Sequence, residues 1–504
     1  MDLTVLLVFL VTFVIVGYLY VKKKQSYWEK HGVPYVNPAF LIGNLWGVGT
    51  SKHFAIALQD NYRELKGKDV IGGIYFLTDP VALILDMDLM KNILIKDFQY
   101  FHDRGVYVNE RDDPLSGHLF SLPGQKWKLM RAKLSPTFTS GKMKMMHSTI
   151  IAVADEFKKF LEPYGSRNEE VEIKEMLACF TTDVIGSCAF GIECNSLKEP
   201  NTEFRRVGKQ VFEFSGLSFA KQIAIQTFPK LAKSLRMSIT PPDVTNFFMK
   251  LLRETIDYRE ANNVNRSDFL SLMIQLKNTG KLEGDNVDLG KLTFEELAAQ
   301  TFVFFVAGFE TSSSTMAFAL YELALNEEIQ ERAREEVNAV LEKHGGEFTY
   351  EACMELKYLD RVIQETLRKY PIVDNLMRVA TNDYNVPGTK HVIPKGMGIL
   401  IPVYGIHRDP EIYPNPERFD PDRFTDENIK QRHPMAWLPF GEGPRICVGM
   451  RFGLMQTRVG LATILSKYRL KATQKTPIPM TYAPLSAFIS PPGGMWLKIE
   501  KLSS

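Results

Sequence analysis

The chain has 504 residues, of which 61 are basic and 59 acidic, so its formal net charge is +2. Its 45% hydrophobic and 24% charged residues are ordinary for a globular protein with a sizeable core, and the balanced charge gives no indication of nucleic-acid binding. The five cysteines are odd in number and never spaced C-x-x-C, which argues against a disulfide framework or a structural zinc site and favours a reducing, cytosol-facing environment.

An uncharged apolar run at residues 3–21 is followed by three lysines at 22–24. At about 1.5 Å per residue the run is long enough for a hydrocarbon core of about 30 Å. A cleaved signal peptide has a basic start and a shorter apolar region, whereas here Asp2 comes first. We therefore expect an uncleaved transmembrane anchor at 1–21, with the lysines on the cytosolic side.

Residues 22–39 are basic and contain prolines, which predicts a stiff, extended hinge between anchor and globule. Length alone suggests about three domains. No Pro-, Ser- or Gly-rich linker divides residues 40–504, however, and the polar stretches at 260–268 and 278–288 read as surface loops. One large domain is therefore predicted for 40–504.

Most of that domain shows helical periodicity. Long amphipathic stretches lie at 150–161, 247–258, 294–325, 327–342 and 359–370. Short strands are predicted as a hairpin at 70–76 and 81–85, as single strands at 376–380, 391–393 and 398–403, and as a second hairpin at 487–490 and 495–499. The predicted fold class is mainly α with a smaller β region.

The sequence F-G-E-G-P-R-I-C-V-G at 440–449 is suited to holding a metal-bound sulfur. Gly441 and Gly443 allow a tight turn that brings backbone N–H groups toward the cysteine. Cys447 precedes a predicted helix at 450–468, and a helix start favours a thiolate. Arg445 offers a charged fork for a carboxylate of the same cofactor. A thiolate ligand and an arginine that binds a carboxylate of the cofactor together indicate haem.

Trp127 and Arg131 are spaced i, i+4 on one predicted helix, although a core tryptophan beside a surface arginine is the commoner explanation of such a pair. Polar residues also interrupt the apolar helix at 301–315. Either Thr311 bonds a carbonyl one turn earlier and Glu310 reaches solvent, or the two polar groups carry chemistry.

Glu365 and Arg368 place an acid and a base at i, i+3. The same spacing occurs in the pairs at 331/334 and 203/206, where an exposed ion pair worth about 0.3 kcal/mol suffices. Spacing alone therefore does not decide the role of this pair.

Together these motifs resemble the cytochrome P450 family. Along the chain the matching patterns are W-x-x-x-R, A-G-x-[D/E]-T, E-x-x-R and F-x-x-G-x-R-x-C-x-G, which is their order in the family. The stretches at 134–144 and 180–191 are similar to insect microsomal members of the clan that oxidises foreign compounds. That clan also includes vertebrate drug-metabolising enzymes. The resemblance extends from the anchor to the C-terminal hairpin and implies the fold of the family.

The resemblance implies haem b with Cys447 as the axial ligand of the iron. It implies further cofactor contacts from Arg445, Trp127, Arg131, Arg104, Arg378, Phe440, Gly441 and Gly449. Ala307 and Gly308 would leave room for dioxygen, and Glu310 and Thr311 would order water and deliver protons.

The resemblance implies a structural triad of Glu365, Arg368 and Arg423. Arg423 lies in P-D-R-F at 421–424, and Arg418 lies in the similar P-E-R-F just before it, which comes too early in the chain to match the family. The role of the triad would be to hold the loop that presents Cys447. Substrate-pocket positions carried over by resemblance are Phe120, Phe304, Ile372, Val373, Ala487 and Phe488. Asp374 and Asn375 add polarity beside them, which raises the possibility of a substrate with a polar group.

The implied activity is hydroxylation, epoxidation or dealkylation of lipophilic small molecules, such as plant toxins or insecticides, with O₂ and electrons from an NADPH–cytochrome reductase. Cytochrome b5 is a second candidate donor, and the implied location is the endoplasmic reticulum membrane, single-pass, with the catalytic domain cytosolic. Lys126 and Lys133 share a helix face that would dock an acidic partner or simply be solvated. Oxidation of endogenous steroids, lipids or hormones, a haem-thiolate isomerase or dehydratase, and a haem carrier or gas sensor are the alternatives.

Overall fold

The structure is a computed structural model that describes residues 3–213, 215–282 and 288–502. Two parts of the predicted elements lie outside the described residues: residues 1 and 2 of the anchor, and residues 283–287 of the loop predicted at 278–288. The α-helices are Leu3–Gln25 (α1), Tyr27–His31 (α2), Phe54–Leu65 (α3), Met87–Lys91 (α4), Gly124–Leu134 (α5), Ser140–Arg167 (α6), Ile173–Ile185 (α7), Glu203–Gln210 (α8), Gly216–Thr227 (α9), Pro229–Ser234 (α10), Pro242–Ala261 (α11), Phe269–Thr279 (α12), Phe294–Leu325 (α13), Glu327–Lys343 (α14), Tyr350–Glu355 (α15), Lys357–Lys369 (α16), Val403–His407 (α17), Asp426–Gln431 (α18) and Met450–Leu465 (α19).

The strands are shorter and fewer, which confirms the predicted fold class. They are Ile71–Phe76 (β1), Asp79–Ile84 (β2), Glu170–Glu172 (β3), Leu376–Val379 (β4), Tyr384–Asn385 (β5), Val392–Ile393 (β6), Gly398–Ile401 (β7), Tyr468–Ala472 (β8) and Trp496–Lys501 (β9).

The chain forms two compact units that alternate along the sequence. Unit 1 holds the residues up to Gly105, Val373–Pro416 and Arg432–Ile446; unit 2 holds Val106–Ile372, Glu417–Gln431 and the residues from Cys447 onward.

Unit 1 is built on a four-stranded sheet in the order β1-β2-β7-β4. The predicted first hairpin is confirmed, since β1 and β2 pair antiparallel, while β7 runs parallel to β2 and antiparallel to β4. Trp28, Tyr75, Leu83 and Ile399 are almost fully buried in its core. Each such side chain contributes about 1.5–3 kcal/mol by leaving water.

Helix α1 has a mean hydropathy of 2.6 and is exposed along nearly its whole length. Its last turn is attached to unit 1, because the Gln25 amide donates to the Ala39 carbonyl at 3.0 Å and the Lys24 ammonium lies 3.1 Å from Asp79. Helix α13 is also long and apolar, but 67% of its apolar span is buried. By length, composition and exposure, α1 is therefore the membrane-anchor candidate, and α13 is a core helix.

The segment at 22–39, expected to be a hinge, packs closely on the sheet. Trp28 is 2% exposed and its indole N–H donates to the Ile74 carbonyl at 3.1 Å. Tyr35 forms a bridge to Gly73 of β1. These contacts fix the chain after α1 directly to unit 1.

Unit 2 is organised around α13, whose bounds match the sequence prediction. Thr293 and Glu296 form a capping box that satisfies backbone N–H groups at its start. Helices α7 and α19 pack along it. The predicted helix at 450–468 ends earlier, at Leu465, because the chain enters β8 at Tyr468.

The predicted C-terminal hairpin is wrong. No strand forms at 487–490, and β9 instead pairs antiparallel with both β3 and β8 in a three-stranded sheet of unit 2. The Pro-Pro-Gly-Gly turn is present, but the partners of β9 are distant in sequence. Local turn signals do not identify such partners.

Candidate functional site

Cys447 differs from the other four cysteines in exposure. It is exposed, whereas Cys179, Cys188, Cys194 and Cys353 are buried, and none of the five forms a disulfide. Burial raises the pKa of all four buried thiols, that of Cys353 to about 12. Because a metal ligand must be a thiolate, Cys447 at the start of α19 is the cysteine suited to this chemistry.

The loop before the cysteine makes the tight turn that the sequence predicts. Gly441 and Gly443 have φ values of 72° and 73°, in the left-handed region that favours glycine. A Cβ on Gly443 would overlap the Leu94 carbonyl oxygen. Both glycines are therefore required by backbone geometry.

Arg445 is buried in unit 1 at 2% exposure. Its Nε–H donates to the His102 carbonyl at 2.8 Å, and its Nη2 lies 3.9 Å from an Asp103 carboxylate oxygen. Arg104 donates to the Arg445 carbonyl at 3.2 Å. The two predicted cofactor arginines are thus adjacent and held by main-chain contacts.

Arg378 is the third predicted cofactor arginine and lies in β4. It is 2% exposed, and burial lowers its pKa to about 10. Its Nη1 donates to the Met377 carbonyl at 2.7 Å, but its Nε has no hydrogen-bond partner and no carboxylate pairs with it among the described residues. A buried guanidinium in this state is stabilised by an anionic group.

In unit 2, Trp127 and Arg131 lie on one face of α5. Trp127 is buried. Burial lowers the pKa of Arg131, and the negative charge of a Cys447 thiolate opposes that shift. Arg131 is itself half-buried, so it is not a plain surface arginine.

The polar interruption of α13 combines elements of both explanations. The Thr311 hydroxyl donates to the Ala307 carbonyl at 2.5 Å, as back-bonding predicts. Glu310, however, does not reach solvent freely: Lys174 of α7 lies 2.7 Å from its carboxylate, and both side chains are largely buried. A hydroxyl and a paired carboxylate therefore lie next to each other on a core helix.

The structure shows a packing role for Gly308, whereas the resemblance implied that this residue leaves room for dioxygen. A Cβ there would lie 2.5 Å from Ile185 of α7, so its absence permits close packing of the two helices. Ala307 is the exposed residue of this segment. The open side of α13 is therefore at Ala307.

Two further side chains bind this segment, and sequence reasoning missed both. Thr181 of α7 donates to the Phe309 carbonyl at 2.9 Å, and Gln456 of α19 donates to the Gly308 carbonyl at 2.8 Å. Each comes from a different helix, and no motif marks either position.

Glu365, Arg368 and Arg423 are brought together in unit 2. Glu365 and Arg368 are fully buried and form a bidentate pair at 2.6 and 2.9 Å, with Arg423 Nε 3.5 Å from the same carboxylate. The Asp420 N–H donates to Glu365 at 2.9 Å, whereas Arg418 contributes only a carbonyl. Burial raises the Glu365 pKa, and these donors oppose the shift.

The two pairs with the same spacing behave differently. Glu203 and Arg206 are 3.6 Å apart and exposed, and in the Glu331–Arg334 pair only the arginine is buried. Burial, and not spacing, distinguishes the Glu365 pair.

A family model for cytochrome P450 matches residues 33–499. "Cytochrome P450 6a2" of Drosophila melanogaster is 48% identical over 494 residues, 97% of each chain. "Cytochrome P450 6A1" of Musca domestica is 47% identical over 487 residues, 96% of this chain and 95% of the relative. "Probable cytochrome P450 6a14" of Drosophila melanogaster is 46% identical over 486 residues, 95% of this chain and 96% of the relative.

The chain belongs to the cytochrome P450 family. It is therefore a monooxygenase, an oxidoreductase with a thiolate-ligated haem that receives electrons from a redox partner and uses O₂ on lipophilic substrates. The match covers the whole of the predicted catalytic domain except its last few residues.

The residues of this cytochrome P450 fit a haem. Cys447 offers a thiolate, and the buried Arg378 lacks an acidic partner among the described residues, as expected of a group that binds a haem carboxylate. At Gly449 a Cβ would meet only Phe138, at 3.9 Å. Phe440 packs edge-on against Trp437 at 6.1 Å.

The predicted pocket residues of this P450 differ in their exposure to solvent. Phe120, Val373 and Ala487 are exposed and Phe488 is half-buried, whereas Ile372 is buried. Phe304 is also buried, because its ring stacks on Phe269 at 4.6 Å within an aromatic cluster. The structure therefore places Phe304 in the core of unit 2.

An aromatic cluster that the sequence did not reveal surrounds Phe488. Phe212 lies 5.4 Å from Phe488 and 5.5 Å from Phe309 of α13, measured between ring centroids. Phe305 stacks on Phe309 at 4.8 Å. This cluster joins three segments distant in sequence next to the Glu310–Thr311 pair.

Asp374 and Asn375 have partners within unit 1. The Asn375 amide donates to Asp374, whose other oxygen lies 3.9 Å from the buried His53. Burial raises the Asp374 pKa. The Asn375 amide oxygen is buried and has no hydrogen-bond partner among the described residues, so it is the one polar group here that would suit a polar substrate.

The two lysines of α5 also have partners. Lys126 forms an ion pair with Glu110, and Lys133 donates to the Lys291 carbonyl at 2.9 Å. Both contacts are at the surface, where an ion pair is worth about 0–1 kcal/mol. The lysines are held loosely enough for an acidic partner to compete for them.

Proposed function

We propose that this cytochrome P450 is a microsomal monooxygenase that hydroxylates, epoxidises or dealkylates foreign lipophilic molecules with electrons from an NADPH–cytochrome reductase. The observation that carries the proposal is Cys447, which is exposed at the start of α19 while the other four cysteines are buried. Similarity to insect P450 enzymes over nearly the whole chain supports it.

Cys447 would bind the haem iron through its thiolate, and the arginines would hold the carboxylates of the cofactor. Arg131 provides positive charge in unit 2, while Arg378, Arg445 and Arg104 provide it in unit 1. When bound, a thiolate-ligated haem supplies the activation of dioxygen, because the thiolate donates electron density that favours O–O cleavage.

Thr311 and Glu310 order water and move protons. The Thr311 proton is committed to the Ala307 carbonyl, so its oxygen accepts hydrogen bonds and orients a water molecule. Glu310 is held by Lys174 and is the acid through which a proton passes to that water. Ala307 supplies the exposed apolar surface next to them.

The triad of Glu365, Arg368 and Arg423 is structural. Its bonds tie α16 to the backbone at Asp420, in the segment of unit 2 that precedes the cysteine loop in the chain. Removal of Glu365 leaves the buried charge of Arg368 uncompensated, and removal of either arginine takes one cation from the buried carboxylate.

Phe212 and Phe488, the half-buried rings of the aromatic cluster, are part of the substrate wall, and the buried Phe309 supports Phe212 from behind. Aromatic rings bury large apolar areas and bind flat lipophilic molecules by stacking and edge contacts. Phe120 and Ala487 are further exposed apolar positions. This chemistry suits a range of apolar substrates and gives no specific polar contact.

Helix α1 anchors the protein in the endoplasmic reticulum membrane, with Lys22, Lys23 and Lys24 on the cytosolic side. The α5 lysines dock the reductase, and cytochrome b5 is a second donor for the same face. Opposite charge on the partner would increase the association rate.

The test is turnover by membranes that contain the protein, its reductase and NADPH, with isotopically labelled dioxygen and a panel of insecticides, plant toxins, steroids and fatty acids. We expect one labelled oxygen atom in products from foreign compounds and none with Cys447→Ala. Products from steroids or fatty acids alone would indicate an endogenous role. Product formation without dioxygen would indicate an isomerase, and binding without turnover a carrier or sensor.

A further inference from the structure

Helix α13 is held at its polar interruption by donors from two neighbouring helices. Thr181 of α7 bonds the Phe309 carbonyl at 2.9 Å, and Gln456 of α19 bonds the Gly308 carbonyl at 2.8 Å. A carbonyl oxygen has two lone pairs, so it accepts a side-chain donor in addition to the backbone N–H of the helix. Glycine adds conformational freedom at this point. The helix is continuous from Phe294 to Leu325, and this turn of it is held by side chains from outside the helix.

The orientation of the Gln456 amide is fixed by chemistry. A carbonyl oxygen only accepts hydrogen bonds, so the atom facing Gly308 must be the amide nitrogen. The same nitrogen also donates to the Ser312 hydroxyl. Both amide protons are thus used on α13, at two positions four residues apart.

The amide oxygen of Gln456 indicates that this residue does more than fill space in the core. Gln456 is fully buried, and its oxygen has no hydrogen-bond partner among the described residues. A buried acceptor without a partner lowers stability, and methionine or leucine would fill the same volume without that cost. The two bonds from the amide nitrogen to α13 offset this cost, so the effect of an amide at this position lies in the segment of α13 that it holds.

The two helices approach closely on either side of Gln456. At Gly460 a Cβ would overlap the Met316 sulfur, and at Gly453 it would lie 3.8 Å from the Ser312 hydroxyl. Helix α19 starts directly after Cys447. The contact therefore connects the helix of the cysteine to the helix of Thr311 through protein atoms alone.

We propose that Gln456 is a positioning residue that holds residues 308–312 of α13 and thereby sets the place of the Thr311 hydroxyl relative to Cys447. Thr181 supports the same segment from α7. The proposal rests on the roles proposed above for Cys447 and Thr311. Loss of the amide would let Thr311 shift, so that electrons are diverted from product to hydrogen peroxide.

The first test is Gln456→Met in the haem-loaded, full-length protein. We expect the reduced carbon monoxide spectrum of the wild type, because the fold and the cysteine are untouched. Hydrogen exchange of the backbone amides at 307–313 should become roughly threefold faster or more, as expected for a locally loosened helix. Peroxide formed per NADPH should rise and product per NADPH should fall.

The second test is Gln456→Glu, which has nearly the same shape. An ionised carboxylate repels the Gly308 carbonyl, whereas a protonated one donates a hydrogen bond to it. Coupling of NADPH to product should therefore recover as pH falls, and neither the wild type nor Gln456→Met should show this dependence. A merely structural role would not produce such a pH profile.

Thr463→Val is the matched control. Thr463 is buried on α19 two turns after Gln456, and its hydroxyl has no partner among the described residues, so neither exchange nor coupling should change. The proposal is overturned if Gln456→Met equals the wild type in both measurements, or if Thr463→Val loosens the helix equally. A missing thiolate spectrum in the wild type would instead overturn the proposed function.

Discussion

Lys174 lies 2.7 Å from the carboxylate of Glu310, and this pair joins the first turn of α7 to the centre of α13. Its side chains are 22% and 15% exposed, so solvent screens it only in part. The acid of the proposed proton path is thus held by a residue on another helix, a contact that the sequence pattern A-G-x-[D/E]-T does not contain.

The first prediction concerns this pair. Lys174→Gln should lower kcat and product per NADPH with little change in KM, because Glu310 loses its positioning charge. Stability should fall by about 1–2 kcal/mol. Lys277→Gln is the matched control, since Lys277 pairs with Glu260 at 3.0 Å with similar exposure on α12. Equal loss of kcat in both variants would contradict a specific role for Lys174.

The second prediction separates the triad arginine from its neighbour. Arg423→Ala should lower the free energy of unfolding by about 1–3 kcal/mol, because the buried Glu365 carboxylate loses one of its two cationic partners and keeps only Arg368. Arg418→Ala should change stability by less than about 0.5 kcal/mol, because that side chain is exposed and contributes only its carbonyl. Thermal unfolding of the two variants makes the comparison, and equal effects would contradict the assignment.

The third prediction concerns α5 as a docking surface. Reversing the charges of Lys126 and Lys133 together should slow reduction by the reductase and leave peroxide-driven turnover intact. The slowing should diminish at high salt, which screens exposed charges. Lys250→Glu, on the exposed face of α11, is the control. Unchanged reduction in the double variant would leave these lysines as a solvated face.

The fourth prediction concerns membrane attachment. Full-length protein should resist extraction of membranes with alkaline carbonate, and protein lacking residues 3–21 should be released. Before that treatment the truncated protein should still sediment with vesicles, because Phe40, Leu41 and Trp46 are exposed apolar side chains in unit 1. Trp46→Ser should weaken this residual binding. A truncated protein that stays bound in carbonate would contradict α1 as the anchor.

Elements with local signals were predicted well. The hairpin of β1 and β2 follows from a short turn between β-rich segments, and the capping box at Thr293 marks the start of α13. The site motifs are likewise compact in sequence, so Cys447 and the Glu365 pair could be named as candidates from the sequence and its resemblance to the family.

Features that depend on distant contacts were not predicted. The pairing of β9 with β3 joins segments more than three hundred residues apart, as at Glu172 and Trp496. Phe304 was predicted as a pocket residue, yet packing against Phe269 places it in the core. Gln456 carries no local signal at all, since its meaning comes only from the helix it touches.

The most direct test of a haem-thiolate centre at Cys447 is the reduced carbon monoxide difference spectrum of the membrane-expressed protein. The wild type is compared with Cys447→Ala, and with Cys179→Ala as a control for a buried cysteine. We expect a strongly red-shifted Soret band in the wild type and in Cys179→Ala, and its loss in Cys447→Ala. A folded, haem-loaded wild type without that band, or a Cys447→Ala variant that keeps it, would contradict the assignment of Cys447 as the thiolate ligand.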